Sequence, residues 1–148
     1  MKSSLLVCAV LPCLALPAAM AAEVPCPDLA TAVQVGACPA EEELRHTFTG
    51  YCSDDAKTYR GETDVCTDYQ RYRRLKNVAL WESADEKFNA YVSCDRPQAE
   101  VKSARVSAVR VGKQGSMTLL VCSYGNSIDF TLRTRAECRV DGGTAKCG

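Results

Sequence analysis

Eight cysteines stand between residues 22 and 148: Cys26, Cys38, Cys52, Cys66, Cys94, Cys122, Cys138 and Cys147. The only histidine of the chain, His46, lies among them. Cysteine at this density has two chemistries, metal ligation and disulfide pairing. Zinc sites draw on closely spaced cysteines and histidines, and here there is no C-x-x-C pair and one imidazole. An even set of cysteines in an exported chain is a disulfide framework. The expectation is four bridges, no metal and no other cofactor.

Acid–base and nucleophilic chemistry find little to work with. One histidine excludes a two-histidine nuclease, and a Ser-His-Asp triad would have to use His46 without a G-x-S-x-G elbow. The pattern around His46 reads as a helix-end or surface histidine. Paired carboxylates could serve a glycosidase, and Glu41-Glu42-Glu43, Asp54-Asp55 and Glu82/Asp85/Glu86 are the clusters available. All lie in polar sequence, whereas a general acid needs an apolar pocket to raise its pKa. No calcium loop, P-loop or dinucleotide fingerprint is present. No residue is assigned a catalytic role.

Binding chemistry is better represented. In "IDFTLRTRAECRV", Ile128 to Val140, an apolar or small side chain stands at every even position. This period of two predicts one half-buried strand. Its wet face carries Arg133, Arg135 and Arg139, with Glu137 between two of them and Asp129 at the far end. These arginines are either solvated and partly self-paired, or a surface for an acidic protein partner. Trp81, the sole tryptophan, packs a core or anchors a partner. The stretch "YQRYRRLK" mixes tyrosines with cations in the manner of nucleic-acid binders. At helical spacing, however, its tyrosines form a buried stripe, and 18 cationic against 18 anionic side chains gives no general attraction to nucleic acid.

These residues need elements to position them. Lys2 followed by "LLVCAVLPCLALPAA" and the small residues of "AMA" reads as a signal peptide over residues 1–21, cleaved before Ala22. Pro12 and Pro17 interrupt it, so it is a poor membrane span, and no cysteine follows the small residues a lipid anchor requires. Residues 22–148 then form a single disulfide-rich domain. Its first half predicts short helices. "PAEEELRH" is one, and "TDYQRYRRLKN" is another, capped by Thr67 or Asp68 with Tyr69, Tyr72 and Leu75 on one side. "DLATAVQVG" suits either a short helix or a strand. "NVALWES" and "KFNAYVSCD" read as strands, the second with Phe88, Ala90, Val92 and Cys94 on one face. "VKSARVSAVRVG" follows as a strand whose valines change phase, as at a bulge. "SMTLLVCSY" then reads as a central strand. The class is α+β or mainly β, an antiparallel meander stapled by disulfides, with helix confined to the first half.

Register bears on the pairing of the cysteines. With Gly142-Gly143 as a two-residue loop, Cys138 faces Cys147 within disulfide reach; sliding the loop to Asp141-Gly142 sets Cys138 against Ala145 instead. A Gly125-Asn126-Ser127 loop sets Cys122 against Phe130, and Cys138 is then roughly 27 Å away along the strand. Cys122 is accordingly assigned to Cys94, leaving the neighbour pairs Cys26–Cys38 and Cys52–Cys66.

The run "LLVCSYGN", Leu119 to Asn126, together with Trp81 in its strand and a leader followed by an early cysteine, resembles an uncharacterised family of small proteobacterial periplasmic proteins with a C-x-Y strand motif. The resemblance spans roughly the last 70 residues and implies a periplasmic location without an established activity. In size, export and cysteine-bearing strands the chain also resembles bacterial periplasmic lysozyme inhibitors. Their S-G-x-x-Y loop is absent, because "CSYGNS" has no Ser-Gly pair, so no inhibitory residue carries over. The expectation is an exported, soluble, non-enzymatic protein-binding domain of the inhibitor or immunity type, periplasmic rather than extracellular. A small secreted hydrolase is the alternative. The intact mass of exported material should match a chain starting at Ala22 with about eight hydrogens lost to four bridges. Free thiols at most cysteines, or an acylated N-terminus, would contradict that outcome.

Overall fold

Alternating apolar and polar side chains build the sheets that organise this chain. The computed structural model describes residues 21–53, 64–66 and 68–148. The leader over 1–20, the Asp54-Asp55 pair and the Thr67 cap lie outside the described residues. Six strands make a large antiparallel sheet. They are β2 (Val33–Gln34), β3 (Val78–Glu82), β4 (Asn89–Ser93), β5 (Ala108–Gln114), β6 (Met117–Ser123) and β7 (Asp129–Thr134), ordered β2-β3-β4-β7-β6-β5. A small antiparallel sheet joins β1 (Ala22–Val24), β8 (Cys138–Asp141) and β9 (Thr144–Cys147) in the order β1-β9-β8, and it lies against β5. Among the described residues, three short α-helices accompany the strands: α1 (Glu41–Cys52), α2 (Tyr69–Lys76) and α3 (Gln98–Ser103). This is the disulfide-stapled α+β fold that the sequence predicts.

The inner face of the large sheet carries the core. Thr118, Leu120 and Cys122 of β6, Phe130 of β7, Ala90 and Val92 of β4 and Trp81 of β3 are all buried on it. Leu29, Ala32 and Val101 cover them from the N-terminal segment and α3, and Ala145 enters from the small sheet. A second cluster lies between α1 and α2, where Phe48 meets Tyr69 and Tyr72 edge to face at 5.4 and 5.2 Å. Asp68 caps α2 by accepting from the Gln70 amide, as its position before the helix predicts. Tyr72 is buried, Tyr69 is half-buried and Leu75 is 54% exposed, so the expected stripe stops one turn short.

The ambiguous "DLATAVQVG" contains both of its readings: a 3-10 turn over Leu29–Thr31 capped by Asp28, then β2. Gly36 follows, and a Cβ there would stand 3.0 Å from the Leu80 backbone nitrogen, so only glycine permits this approach to β3. Three expectations are corrected. Helix is not confined to the first half, because α3 contains Val101. The phase change among the valines marks a passage from α3 to β5, not a bulge within one strand. Finally, the single strand expected over Ile128 to Val140 is two. β7 ends at Thr134, whose Oγ1 accepts from the Ala136 amide at 3.1 Å, and this local bond turns the chain toward β8 in the other sheet.

Two of the four bridges follow the expected pairing. Cys138 faces Cys147 in register across the Gly142-Gly143 loop, where both glycines have positive φ, as a type I′ turn requires. Cys52–Cys66 also forms. The other two exchange partners: Cys26 bonds Cys122 and Cys38 bonds Cys94. Strand order explains the change. β7 lies between β4 and β6, and two interstrand spacings of about 4.8 Å exceed disulfide reach. Cys122 points into the core beneath the N-terminal segment, where the Tyr124 hydroxyl donates to the Pro27 carbonyl and holds Cys26 close.

Phe130→Ala should cost about 3–5 kcal/mol by denaturant unfolding with the bridges intact, since Phe130 is fully buried. Leu75→Ala should stay within about 0.5 kcal/mol of the parent. Similar losses for both would place Phe130 outside the core.

Candidate functional site

The outer face of the large sheet follows from its register. Val33, Glu82, Asn89, Thr131, Val121 and Arg110 are successive cross-strand partners and form one row across all six strands. Adjacent rows pair Leu80 with Tyr91 and Leu119 with Arg133. None of these side chains is buried, and Tyr91 is 71% exposed. The face is thus a mixed apolar and polar surface centred on strands that are rigid because their other side is the core.

The expected binding residues separate on this framework. Arg133 is exposed on the outer face of β7, with Nη1 3.5 Å from the Asn89 Oδ1. Arg135 is exposed in the bend after β7, and Arg139 stands on β8 opposite Lys146. They do not share one strand face, because the strand that would have aligned them is broken. Nor do they pair with the acids between them. Glu137 accepts from Lys113 Nζ at 2.6 Å, and Asp129 accepts from Arg110 Nη2 at 3.0 Å. Among the described residues, no carboxylate forms an ion pair with Arg133, Arg135 or Arg139. Lys146 is itself bonded to Asp141 at 2.5 Å, so Arg139 faces a cation whose counter-charge is already taken.

Trp81 is 3% exposed and packs the core, the first of the two roles its sequence allows. One edge of it reaches a cavity of about 200 Å³ between the inner face of β3–β4 and α3. Gln34, Cys38, Cys94, Arg96 and Gln98 line the polar side of this cavity. Tyr91 has the opposite fate: it sits at an odd position between the buried Ala90 and Val92 and faces outward. Strand alternation could have found it, had the outward positions been weighed as well as the inward ones.

Charge chemistry gathers instead at Arg73. Its Nη1 and Nη2 grip both carboxylate oxygens of Asp95 at 2.7 and 2.9 Å, and its Nε donates to Glu41 at 3.0 Å. Tyr69 and Asn77 donate to the same two acids. Sequence reading treats Arg73 only as one of the cations of "YQRYRRLK". The structure makes it the tie among α1, α2 and the end of β4. The hydrogen bond from Arg73, chiefly, holds Asp95 below the ordinary carboxylate range, and the Tyr69 hydroxyl followed by Arg73 does so for Glu41. Asp85 is lowered by the Ser83 hydroxyl and Lys87, and Asp141 by Lys146. Every carboxyl among the described residues with a resolved shift moves down, the wrong direction for a general acid.

His46 lies within α1, which runs on to Cys52, so it is not at a helix end. It borders an open groove with Glu43, Thr47 and Lys76. Among the described residues there is no group of three or more side chains able to hold a metal ion, and no helix long and apolar enough to cross a membrane. Comparison with protein-family models, curated proteins and solved structures finds no match to this chain.

The Arg73 network has a definite pH signature. Its two carboxyls are depressed in the folded state, so their contribution is complete above the ordinary values of 3.8 and 4.5 and is lost as pH falls through the lower folded values. The melting temperature should fall between pH 4.5 and 2, and Arg73→Gln should flatten that decline. Parallel pH profiles for the two proteins would show that the network contributes nothing to acid sensitivity.

Proposed function

We propose that this chain is an exported, non-enzymatic protein-binding domain of the bacterial periplasm, of the inhibitor or immunity type, whose partner is an acidic protein. One observation carries the reading. Arg133, Arg135 and Arg139 are exposed and form no ion pair with an acid among the described residues, while Asp129, Glu137 and Asp141, the acids nearest them in sequence, are bound to Arg110, Lys113 and Lys146, Arg139 adding only its field at Asp141. A cation whose counter-charge has been committed elsewhere is available to a carboxylate on another molecule, and guanidinium binds carboxylates in a bidentate fork.

Tyr91 and Leu80 on the outer sheet face supply the apolar centre that such a contact needs, and Arg133 stands on the same face two rows away, across the row that pairs Asn89 with Thr131. Four disulfides belong to an oxidising compartment. The leader pattern and the resemblance carried by "LLVCSYGN" favour the periplasm within that class.

Replacing all three arginines with glutamate should leave the melt close to native, each exposed change being worth under about 0.5 kcal/mol. Immobilised oxidised protein should capture an acidic protein from envelope extract, and capture should weaken steeply with salt. The triple variant should bind the same protein more weakly by roughly 2–5 kcal/mol, since attraction becomes repulsion. Equal capture by both proteins would overturn the reading.

A further inference from the structure

We propose that Cys38–Cys94 is a thiol-exchange site, through which this protein accepts two electrons from a dithiol or, once reduced, returns them to a disulfide, while the other three bridges are structural. Of the eight bridged cysteines Cys38 alone is exposed; Cys122 is fully buried and the remaining six are half-buried. Exchange begins with a thiolate reaching a disulfide sulfur, so the exposed bond is the one an incoming thiol meets first.

Three features at the bond favour its opening without unfolding. Gln34 Nε2 donates to Cys38 Sγ at 3.7 Å, and a hydrogen bond to sulfur stabilises the thiolate. Both cysteines line the cavity that Trp81 and Arg96 also border. Cys94 therefore has space behind it into which it can withdraw when the bond opens. The chain on each side is held independently. Asp95, next to Cys94, is gripped by Arg73, the Cys94 amide donates to Asn77, and Gln98 bonds Gln34 at 3.0 Å.

The chemistry balances as follows. One thiolate of the dithiol attacks Cys38 Sγ, the Cys38–Cys94 bond breaks, and Cys94 leaves as a thiolate. The second thiol of the dithiol, deprotonated, attacks its own partner sulfur in the mixed disulfide and expels Cys38. The dithiol loses two electrons and two protons as it closes into a disulfide, and Cys38 and Cys94 gain them. The reverse sequence restores the bridge.

Trp81 is the only tryptophan and borders the same cavity, so its emission should report on this bond, because a nearby disulfide quenches indole fluorescence. Folded protein would be titrated with dithiothreitol, alkylated with iodoacetamide at intervals and mapped by peptide mass. Cys38 and Cys94 should label at least about tenfold faster than any other cysteine. Trp81 emission should rise with the same rate constant while the far-ultraviolet circular dichroism is unchanged. Earlier labelling at another bridge, simultaneous opening of all four, or a fluorescence rise only on unfolding would overturn the proposal. The Cys38→Ser/Cys94→Ser protein should melt cooperatively and lack the fast phase. Persistence of that phase, or failure of this variant to fold, would overturn it equally.

Discussion

A single sheet with one dry face must find enough apolar material to cover that face, and here the cover is thin. Leu29 and Ala32 from a segment with one 3-10 turn, Val101 from a helix of six residues, and Ala145 from the small sheet do the work. None of these pieces is long enough to be stable alone. Cys26–Cys122 fastens the first of them to the centre of β6, and the Tyr124 hydroxyl bond to Pro27 repeats the attachment two residues on. The bridge closes a loop that contains α1, α2, β3 and β4. Constraining so long a loop removes much of the freedom of the unfolded chain, and the chain-entropy view places that effect near 4–5 kcal/mol. With the inner side fixed in this way, the outer side of the same strands keeps Tyr91 and Arg133 exposed on a braced framework.

What could be read from the sequence, and what could not, divides at the range of the interaction. Hairpin register is local, and it placed Cys138 opposite Cys147 and Cys122 opposite Phe130 correctly. The period of two is local as well, and it found β4 and both halves of the strand through Phe130 and Val140, while β3 and β6 were legible as short apolar runs. Strand order is not local. Nothing in the spacing of Cys94 and Cys122 says that β7 will lie between them, so they were joined wrongly, and Cys26 and Cys38 with them. The break after Thr134 escaped for a different reason. A side-chain bond to the Ala136 amide bends the backbone yet leaves the alternation in phase on either side, so the hydrophobic pattern passes through the bend unaltered.

The candidate surface was partly legible. Arg133, Arg135 and Arg139 are all outward, as alternation requires, but their neighbours in sequence are not their neighbours in space. Lys113 comes from β5 to take Glu137, and Arg110 from the same strand takes Asp129. The pairing that would have made the arginines electrically quiet is thus diverted by a strand that precedes them by some twenty residues. Tyr91 went unnoticed because an outward tyrosine is unremarkable in one strand. It gains meaning only when register sets it against Leu80 in the middle of an uncovered sheet.

The pairing of β1 with β9 sets the order of events during synthesis. Ala22, Glu23 and Val24 bond to Cys147, Lys146 and Ala145, so the small sheet joins strands from opposite ends of the domain. A chain made N-terminus first must hold β1 unpaired until the last hairpin arrives. Contacts so far apart in sequence form slowly and leave edges open in the meantime. β8 and β9 can close on each other at once through their two-residue turn, which gives β1 a finished edge to meet. Assembly of this domain is therefore completed by its first residues, and an incomplete chain has no way to seal the core at Ala145.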